Sequence, residues 1–164
     1  MGFAAERPTA APSVSVRGYS QVAVMAAAVL SLVAAWVHFA YTGSHFREWW
    51  AYGLFFLLIA IGQAVFAPAI IRWRWPALAL AGIAVNLGVV VMYVWSRTIG
   101  VPMGPHQGVA EHTKLPDLAT TAAEILLVAV LLTMLPRRWA TWLTNLVLLA
   151  GIALWVGRLT GYVP

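Results

Sequence analysis

The residues in this chain best suited to chemistry are histidines and carboxylates near the ends of apolar segments. His38, His45 and Glu48 lie close together in the sequence, and Asp117 and Glu124 follow in a later segment. Imidazole nitrogens and carboxylate oxygens are common ligands of zinc, copper, manganese and iron. These five side chains therefore predict a site that binds a divalent transition metal or another small polar ligand.

Helical spacing adds further polar residues to this set. Asp117 and Glu124 share one face of a helix, because they are seven residues apart, which is about two helical turns. The same rule gives two more polar stripes, Tyr52 with Gln63 and Asn86 with Tyr93 and Arg97. Polar groups in hydrocarbon must find partners, so the stripes should face a bundle interior, with Arg97 as the charge partner of Asp117 or Glu124.

Two other interpretations of these residues stay open. The stripes can be purely structural, with an ion pair and amide hydrogen bonds that hold helices together at about 1 kcal/mol each. Haem b is the weaker cofactor alternative, since it needs an axial histidine and only His38 lies clearly within an apolar segment. His106 and His112 fall in a polar loop, where a histidine is usually solvated.

The elements that must position these side chains are membrane-spanning helices. Hydrophobic residues make up 62% of the 164 positions and charged residues 9%, which is too apolar for a water-soluble domain. Five apolar runs each approach the roughly 20 residues that a helix needs to cross the hydrocarbon. Their continuous hydrophobicity excludes the alternating strands of a β-barrel. The runs are 21–41, 49–71, 76–96, 118–135 and 139–159.

The sequence therefore predicts an all-α, polytopic membrane bundle at 20–164, preceded by a disordered cytoplasmic tail at 1–19. The Lys and Arg bias predicts a cytoplasmic amino terminus, an outer carboxyl terminus and an outer loop at 97–117. On this orientation the inner cations are Arg7, Arg17, Arg72, Arg74, Arg137 and Arg138, and the outer ones are Arg47, Arg97, Lys114 and Arg158. All four histidines then belong to the outer half.

Composition also excludes several classes of function. The net charge of +5 comes from cations scattered at the ends of apolar runs, so the sequence contains no clustered basic patch of the kind that binds a nucleic acid. The chain has no cysteine, which excludes disulfides and thiolate metal sites. No P-loop, dinucleotide fingerprint, nucleophile elbow or HExxH motif occurs. Whether the protein is an enzyme stays undecided.

Two stretches of the chain carry a longer pattern. The first is HFAYTGSHFREWWAYGLFFLLIAIGQ, and the second begins with NLGVVVMYVWSRTIGVPMGP and continues to Glu124. Together they resemble an uncharacterised family of small polytopic membrane proteins of the actinobacterial type, whose pattern pairs HxxxxxxHFxEWWxYGxFF with SRTxGxPxGP and later E, D and E. Ser44 stands here where the family has Glu, and His106 and His112 lie outside the pattern.

The resemblance covers roughly the first four predicted helices and implies family membership without implying a reaction. It places the chain in a bacterial inner (plasma) membrane as a multi-pass protein. It also favours a particular set of site residues, namely His38, His45, Glu48, Arg97, Glu111, Asp117 and Glu124.

These observations lead to two hypotheses of different classes. The first is a membrane protein with an outward-facing polar site, within the membrane, that binds a metal ion or a small polar ligand. The second is an accessory subunit or assembly factor of a larger membrane complex, in which the polar cluster is structural. A transporter ranks third, because five spans do not divide into inverted repeats. The expected partners are the lipid bilayer and either a second copy of the chain or a larger complex.

Overall fold

The computed structural model describes residues 20–160, which form five α-helices. In chain order they are α1 (Gln21–Glu48), α2 (Trp50–Arg72), α3 (Pro76–Thr98), α4 (Leu115–Thr133) and α5 (Arg137–Leu159). Each is long and apolar enough to cross a membrane. No strand occurs within 20–160, so the predicted all-α class is confirmed. The predicted tail at 1–19 lies outside the described residues.

Prolines and one extended residue set the helix boundaries. Pro76 and Pro116 lie in the first turns of α3 and α4, where the missing backbone N–H costs no helical hydrogen bond. Trp49 is extended (φ −163°, ψ 140°) and separates α1 from α2. Because α1 continues to Glu48, past the predicted end at residue 41, His45 and Glu48 lie in its last turn and not in a connection between two helices.

Helices α1 to α4 form the bundle, and α5 lies beside it. α1 packs along α2 and α4, and α3 packs along α4, whereas α2 meets α3, and α5 meets α4, at few points. Fully buried alanines such as Ala27 and Ala79 let the helix backbones approach closely. The apolar core occupies the end of the bundle that holds Val24, Ile70 and Leu131. Polar residues are therefore left to the middle and the opposite end.

The segment at 99–114 folds back onto that opposite end. The backbone N–H of Glu111 donates to the carbonyl of Ser96 at 2.9 Å, and the Tyr52 hydroxyl on α2 donates to the carbonyl of Met103 at 2.8 Å. A Cβ at Gly100, where φ is +82°, would lie 2.3 Å from a backbone nitrogen across the segment. We call the end formed by this segment and the α1–α2 junction the loop end.

Candidate buried polar site

Four polar side chains, one from each helix of the bundle, meet around Glu124. They are His38 on α1, Gln63 on α2, Asn86 on α3 and Glu124 on α4, and each is at most 4% exposed. We call them the buried quartet. Polar groups at this depth are costly unless they are paired, which explains why they point at one another and not at the surroundings of the bundle.

His38 and Glu124 are the ionisable members of the quartet. Nε2 of His38 lies 3.7 Å from Oε1 of Glu124, and Nδ1 lies 2.9 Å from the carbonyl oxygen of Ala34. Because a carbonyl can only accept a hydrogen bond, Nδ1 must carry a proton. Nε2 is therefore the ring atom that gains or loses a proton, and it faces the carboxylate. The pair can share one exchangeable proton.

Gln63 and Asn86 join α2 to α3, two helices that otherwise meet at few points. Nε2 of Gln63 donates to Oδ1 of Asn86 at 3.1 Å and to Oε1 of Glu124 at 3.4 Å. Nδ2 of Asn86 donates to the carbonyl of Gly82, one turn earlier in α3, at 2.7 Å. Within the described part of the chain, Oε1 of Gln63 is buried and receives no hydrogen bond.

Two hydroxyl groups support the quartet from α1. Ser31, which is fully buried, donates to the backbone carbonyl of Gln63 at 2.7 Å and so links α1 to α2 at the level of the quartet. Thr42 donates to the carbonyl of His38 at 2.9 Å. Both residues hold backbone that carries a member of the quartet, so they act as positioning residues.

A second polar cluster, the rim cluster, lies at the loop end. Arg97 donates through Nη1 to Glu111 and through Nη2 to Asp117, the latter at 2.7 Å. Asp117 also accepts from the backbone N–H of Lys114 at 3.1 Å. The guanidinium carbon lies 5.0 Å from the ring centroid of Tyr93. Arg97 thus joins the end of α3 to the loop and to the start of α4.

An aromatic contact connects the loop end with the quartet. The ring of Phe56 on α2 stacks on His45, with 3.8 Å between centroids, and lies 5.4 Å from the ring of His38. Nδ1 of His45 lies 3.3 Å from a carboxylate oxygen of Glu48. His45 and Glu48 are both partly exposed. The contacts from Glu48 through His45 and Phe56 to His38 therefore connect the surface of the loop end with the buried His38–Glu124 pair.

The structure distributes the predicted ligands over three places. Glu124 and His38 lie in the quartet, Asp117 lies in the rim cluster, and His45 pairs with Glu48 beside Phe56. Within 20–160, no group of three or more His, Asp or Glu side chains is arranged to hold a metal ion. The five residues therefore do not form one transition-metal ligand set.

The residues of the predicted polar stripes are divided in a similar way. Gln63 and Asn86 belong to the quartet, Tyr93 donates to Thr113 at 3.5 Å beside the rim cluster, and Tyr52 binds the loop backbone. Arg97 pairs with Asp117, one of the two partners expected for it, whereas Glu124 has His38 as its partner instead. His106 and His112 are exposed in the loop.

Sequence reasoning missed Ser31 and Phe56. A pattern could have indicated Ser31, because it precedes His38 by the same interval as His38 precedes His45, which places all three on one face of α1. Phe56 is one aromatic residue among many in an apolar run, and nothing local in the sequence distinguishes it.

No protein-family model, no curated protein and no solved structure matches the chain.

Proposed function

We propose that this chain is an integral membrane protein whose helices α1 to α4 enclose a binding site for a small polar ligand, centred on Glu124. The observation that carries the proposal is the convergence of the buried quartet. Four helices that are apolar enough to cross a membrane each contribute one buried polar side chain to the same point. Ionisable groups inside such helices are costly, and they usually mark a functional site.

The way in which the quartet is paired favours binding over a purely structural cluster. Buried side-chain oxygens usually receive a hydrogen bond. The side-chain oxygens of Gln63, Asn86 and Glu124 have the Gln63 amide and His38 as their local donors, and Oε1 of Gln63 receives none from the described chain. A ligand that brings a donor or a positive charge would complete this acceptor-rich site.

The loop end is the proposed access side, and we place it outside the cell, as the Lys and Arg distribution predicts. Asp117 in the rim cluster lies about two helical turns, or about 10 Å, from Glu124 along α4. His45 and Phe56 form a second connection between this surface and His38. A ligand from the loop end therefore has only a short distance to travel.

A ligand screen by thermal unfolding tests this function. The purified protein is melted in detergent with a panel of alkali and divalent cations, small amines, amides and carboxylates. A ligand present at about 100 times its Kd stabilises the folded state by about 2.7 kcal/mol. We expect at least one solute to raise the Tm of the wild type but not that of Glu124→Gln.

Glu111→Gln is the matched control, because it removes a carboxylate of the rim cluster and leaves the quartet intact. It should retain the response of the wild type. If no solute in the panel stabilises the wild type more than Glu124→Gln, the quartet is structural and the proposed function is wrong.

A second candidate function, the accessory subunit, is favoured by the loose attachment of α5. Among the described residues, this helix meets α4 at few points, and its side chains, including Trp142 at 78% exposure, are mostly uncovered. An apolar cavity of about 110 Å³ separates it from α3 and α4, lined by residues such as Leu87, Val128 and Leu143. Native co-purification of a defined partner would support this candidate, and a homogeneous homo-oligomer would argue against it.

A further inference from the structure

We infer that the groove between α3 and α5 binds one molecule of an anionic phospholipid, with an acyl chain in the groove and the phosphate among the arginines at its mouth. The inference takes the helices as membrane-spanning, as the proposed function does, and it is independent of what the quartet binds. It is carried by the shape of the groove and by the positive charge beside it.

The groove consists of two cavities that share Leu143 of α5 in their walls. The deeper one, of about 110 Å³, lies between α3, α4 and α5. The wider one, of about 350 Å³, opens between Leu80 of α3 and the rings of Trp139 and Trp142. Apart from Thr144, the lining side chains are aliphatic or aromatic. Because apolar cavities stay free of water and take apolar ligands, the groove is suited to hydrocarbon.

The length of the groove fits one leaflet of a bilayer. Along α5 its lining extends from Trp139 to Leu148, which is about 13 Å of helix. The hydrocarbon core is about 30 Å thick, so one leaflet contributes about 15 Å. The mouth lies beside Trp139, near the start of α5, and tryptophans are enriched at the level of the headgroups. A chain that enters at the mouth therefore reaches the end of the groove near the middle of the membrane.

A transmembrane helix of another protein is the main alternative occupant. A helix with its side chains is about 10–12 Å in diameter, which is too wide for the deeper cavity between the three helices. Such a helix could cover the opening, but it could not enter. An acyl chain is only one methylene wide and can fill the groove along its length, so the shape favours a lipid.

Four arginines lie at the same end of the bundle as the mouth of the groove, which we call the turn end. Arg72 is the last residue of α2, and Arg74 lies in the turn before α3. Arg137 and Arg138 begin α5, directly before Trp139. All four are exposed, and none has an acidic partner within residues 20–160. The turn end therefore carries positive charge that the described chain does not neutralise.

The acids of the described chain lie elsewhere. Glu48, Glu111 and Asp117 lie at the loop end, and Glu124 lies in the quartet. Residues 1–19 contain two arginines and one glutamate, so they cannot neutralise four positive charges. Guanidinium groups bind phosphate through paired hydrogen bonds, and basic pockets between transmembrane helices bind anionic headgroups. The charge therefore favours an anionic lipid over a zwitterionic one.

Lipid titration of the full-length protein, followed by native mass spectrometry, tests the inference. The protein in detergent is titrated with dioleoylphosphatidylglycerol or dioleoylphosphatidylcholine, which have the same acyl chains and differ in net charge. We expect one molecule of phosphatidylglycerol to bind at least about tenfold more tightly than phosphatidylcholine. Inorganic phosphate, which offers the charge without the chain, should not bind at these concentrations.

Two double variants locate the headgroup. Arg137→Gln with Arg138→Gln should weaken phosphatidylglycerol about thirtyfold, since each arginine near the membrane surface contributes about fivefold to affinity. Binding of phosphatidylcholine should not change. Arg47→Gln with Lys114→Gln is the matched control, because it removes two exposed positive charges at the loop end. It should bind phosphatidylglycerol as the wild type does.

Two single variants locate the acyl chain. Thr144→Phe places a ring in the deeper cavity and leaves the arginines intact, so it should weaken binding of phosphatidylglycerol. Thr141→Phe is the matched control, because it adds the same ring to an exposed position of α5 outside the lining. It should keep the affinity of the wild type. The Tm of each variant without added lipid shows whether the fold is retained.

Equal affinities for the two lipids, or equal losses from the double variants at the two ends, would show that the arginines form no headgroup site, and the inference would be wrong. Equal binding by Thr144→Phe and Thr141→Phe would place the acyl chain outside the groove and would also overturn it. So would a co-purified protein partner whose complex retains no phospholipid. These outcomes leave the response of the quartet to small solutes unchanged, so the proposed function stands or falls separately.

Discussion

Single residues in this protein do different work depending on which elements their polar atoms join. In the rim cluster, Arg97 bridges Glu111 and Asp117, and Asp117 also accepts a backbone hydrogen bond. In the buried quartet, Nε2 of Gln63 donates to two oxygens, and Oε1 of the same amide has no partner among residues 20–160. In the described chain, Nε of Arg97 is buried without a partner as well, so what distinguishes the two clusters is what they join. The rim cluster joins the loop to the ends of α3 and α4, whereas the quartet brings side chains of four helices together at a buried point.

Ser31 provides a test at the scale of one residue. Ser31→Ala removes the interhelical hydrogen bond to the Gln63 carbonyl, and we expect it to lower the free energy of unfolding by about 0.6–1.5 kcal/mol. Reversible unfolding in mixed detergent micelles measures the change. Since this bond also positions Gln63, the variant should weaken ligand stabilisation at the quartet.

Ser44→Ala is the control, because the Ser44 hydroxyl donates to the carbonyl of Tyr41 within the same helix and joins no second helix. It should change stability by less than Ser31→Ala. Equal effects of the two variants would show that the contact between α1 and α2 through Ser31 contributes nothing specific.

At the scale of elements, the segment between α3 and α4 connects the site with the surface. Three hydrogen bonds hold it in place. The backbone N–H of Glu111 donates to the carbonyl of Ser96, and the Tyr52 hydroxyl donates to the carbonyl of Met103. The guanidinium of Arg97 donates to the carboxylate of Glu111. The glycines of the GVPMGP stretch make this path possible. At Gly104, a Cβ would lie 2.5 Å from the Tyr52 hydroxyl oxygen. The loop therefore covers the bundle closely.

Gly100 and Gly108 form a matched pair for testing this packing. Both adopt positive φ, at +82° and +70°, so alanine at either position costs about 1 kcal/mol of backbone strain. Only at Gly100 does a Cβ also collide with backbone, 2.3 Å from the nitrogen of Val109, whereas Gly108 faces open space. We expect Gly100→Ala to displace the segment and lower the Tm several times more than Gly108→Ala.

Thermal unfolding of the two variants, together with proteolysis of the segment, measures the difference. A Gly100→Ala protein as stable and as resistant to protease as Gly108→Ala would contradict the close packing of the segment against itself.

At the scale of the whole molecule, the arrangement of charges predicts how the bundle sits in a membrane. Arginines lie in or directly beside the turn between α2 and α3 and the turn between α4 and α5, and the loop end carries most of the acids. This distribution favours a cytoplasmic position for the two turns and an outer position for the loop end. The proposed site then opens to the outside.

The absence of cysteine from the sequence makes the orientation easy to measure. Gln107→Cys places a thiol in the exposed loop, and Trp73→Cys places one in the turn after α2. In intact cells, a membrane-impermeant maleimide should label Gln107→Cys, and it should label Trp73→Cys only after permeabilisation. Both variants should react in detergent, which is the control for thiol access. The reverse pattern would place the loop end in the cytoplasm.

The sequence by itself determined the helical class, the approximate helices and the polar stripes. These features are local, because the length of a hydrophobic run and the helical spacing of its polar residues depend only on neighbouring positions in the sequence. The stripe of Asn86 and Arg97 and the stripe of Tyr52 and Gln63 were found in this way. The boundary of α1 was less accurate, because the break depends on the extended conformation of Trp49 and no proline or polar run marks it.

Only the tertiary structure decided which stripes meet and at what depth. The sequence favoured Arg97 as the partner of the acids on α4, and it could not show that Arg97 takes Glu111 and Asp117 while Glu124 takes His38. It also grouped His45 and Asp117 with the buried residues, from which the bundle separates them. The reason is that the neighbours and rotation of a helix depend on close packing between distant segments, and helical spacing along one chain carries no information about them.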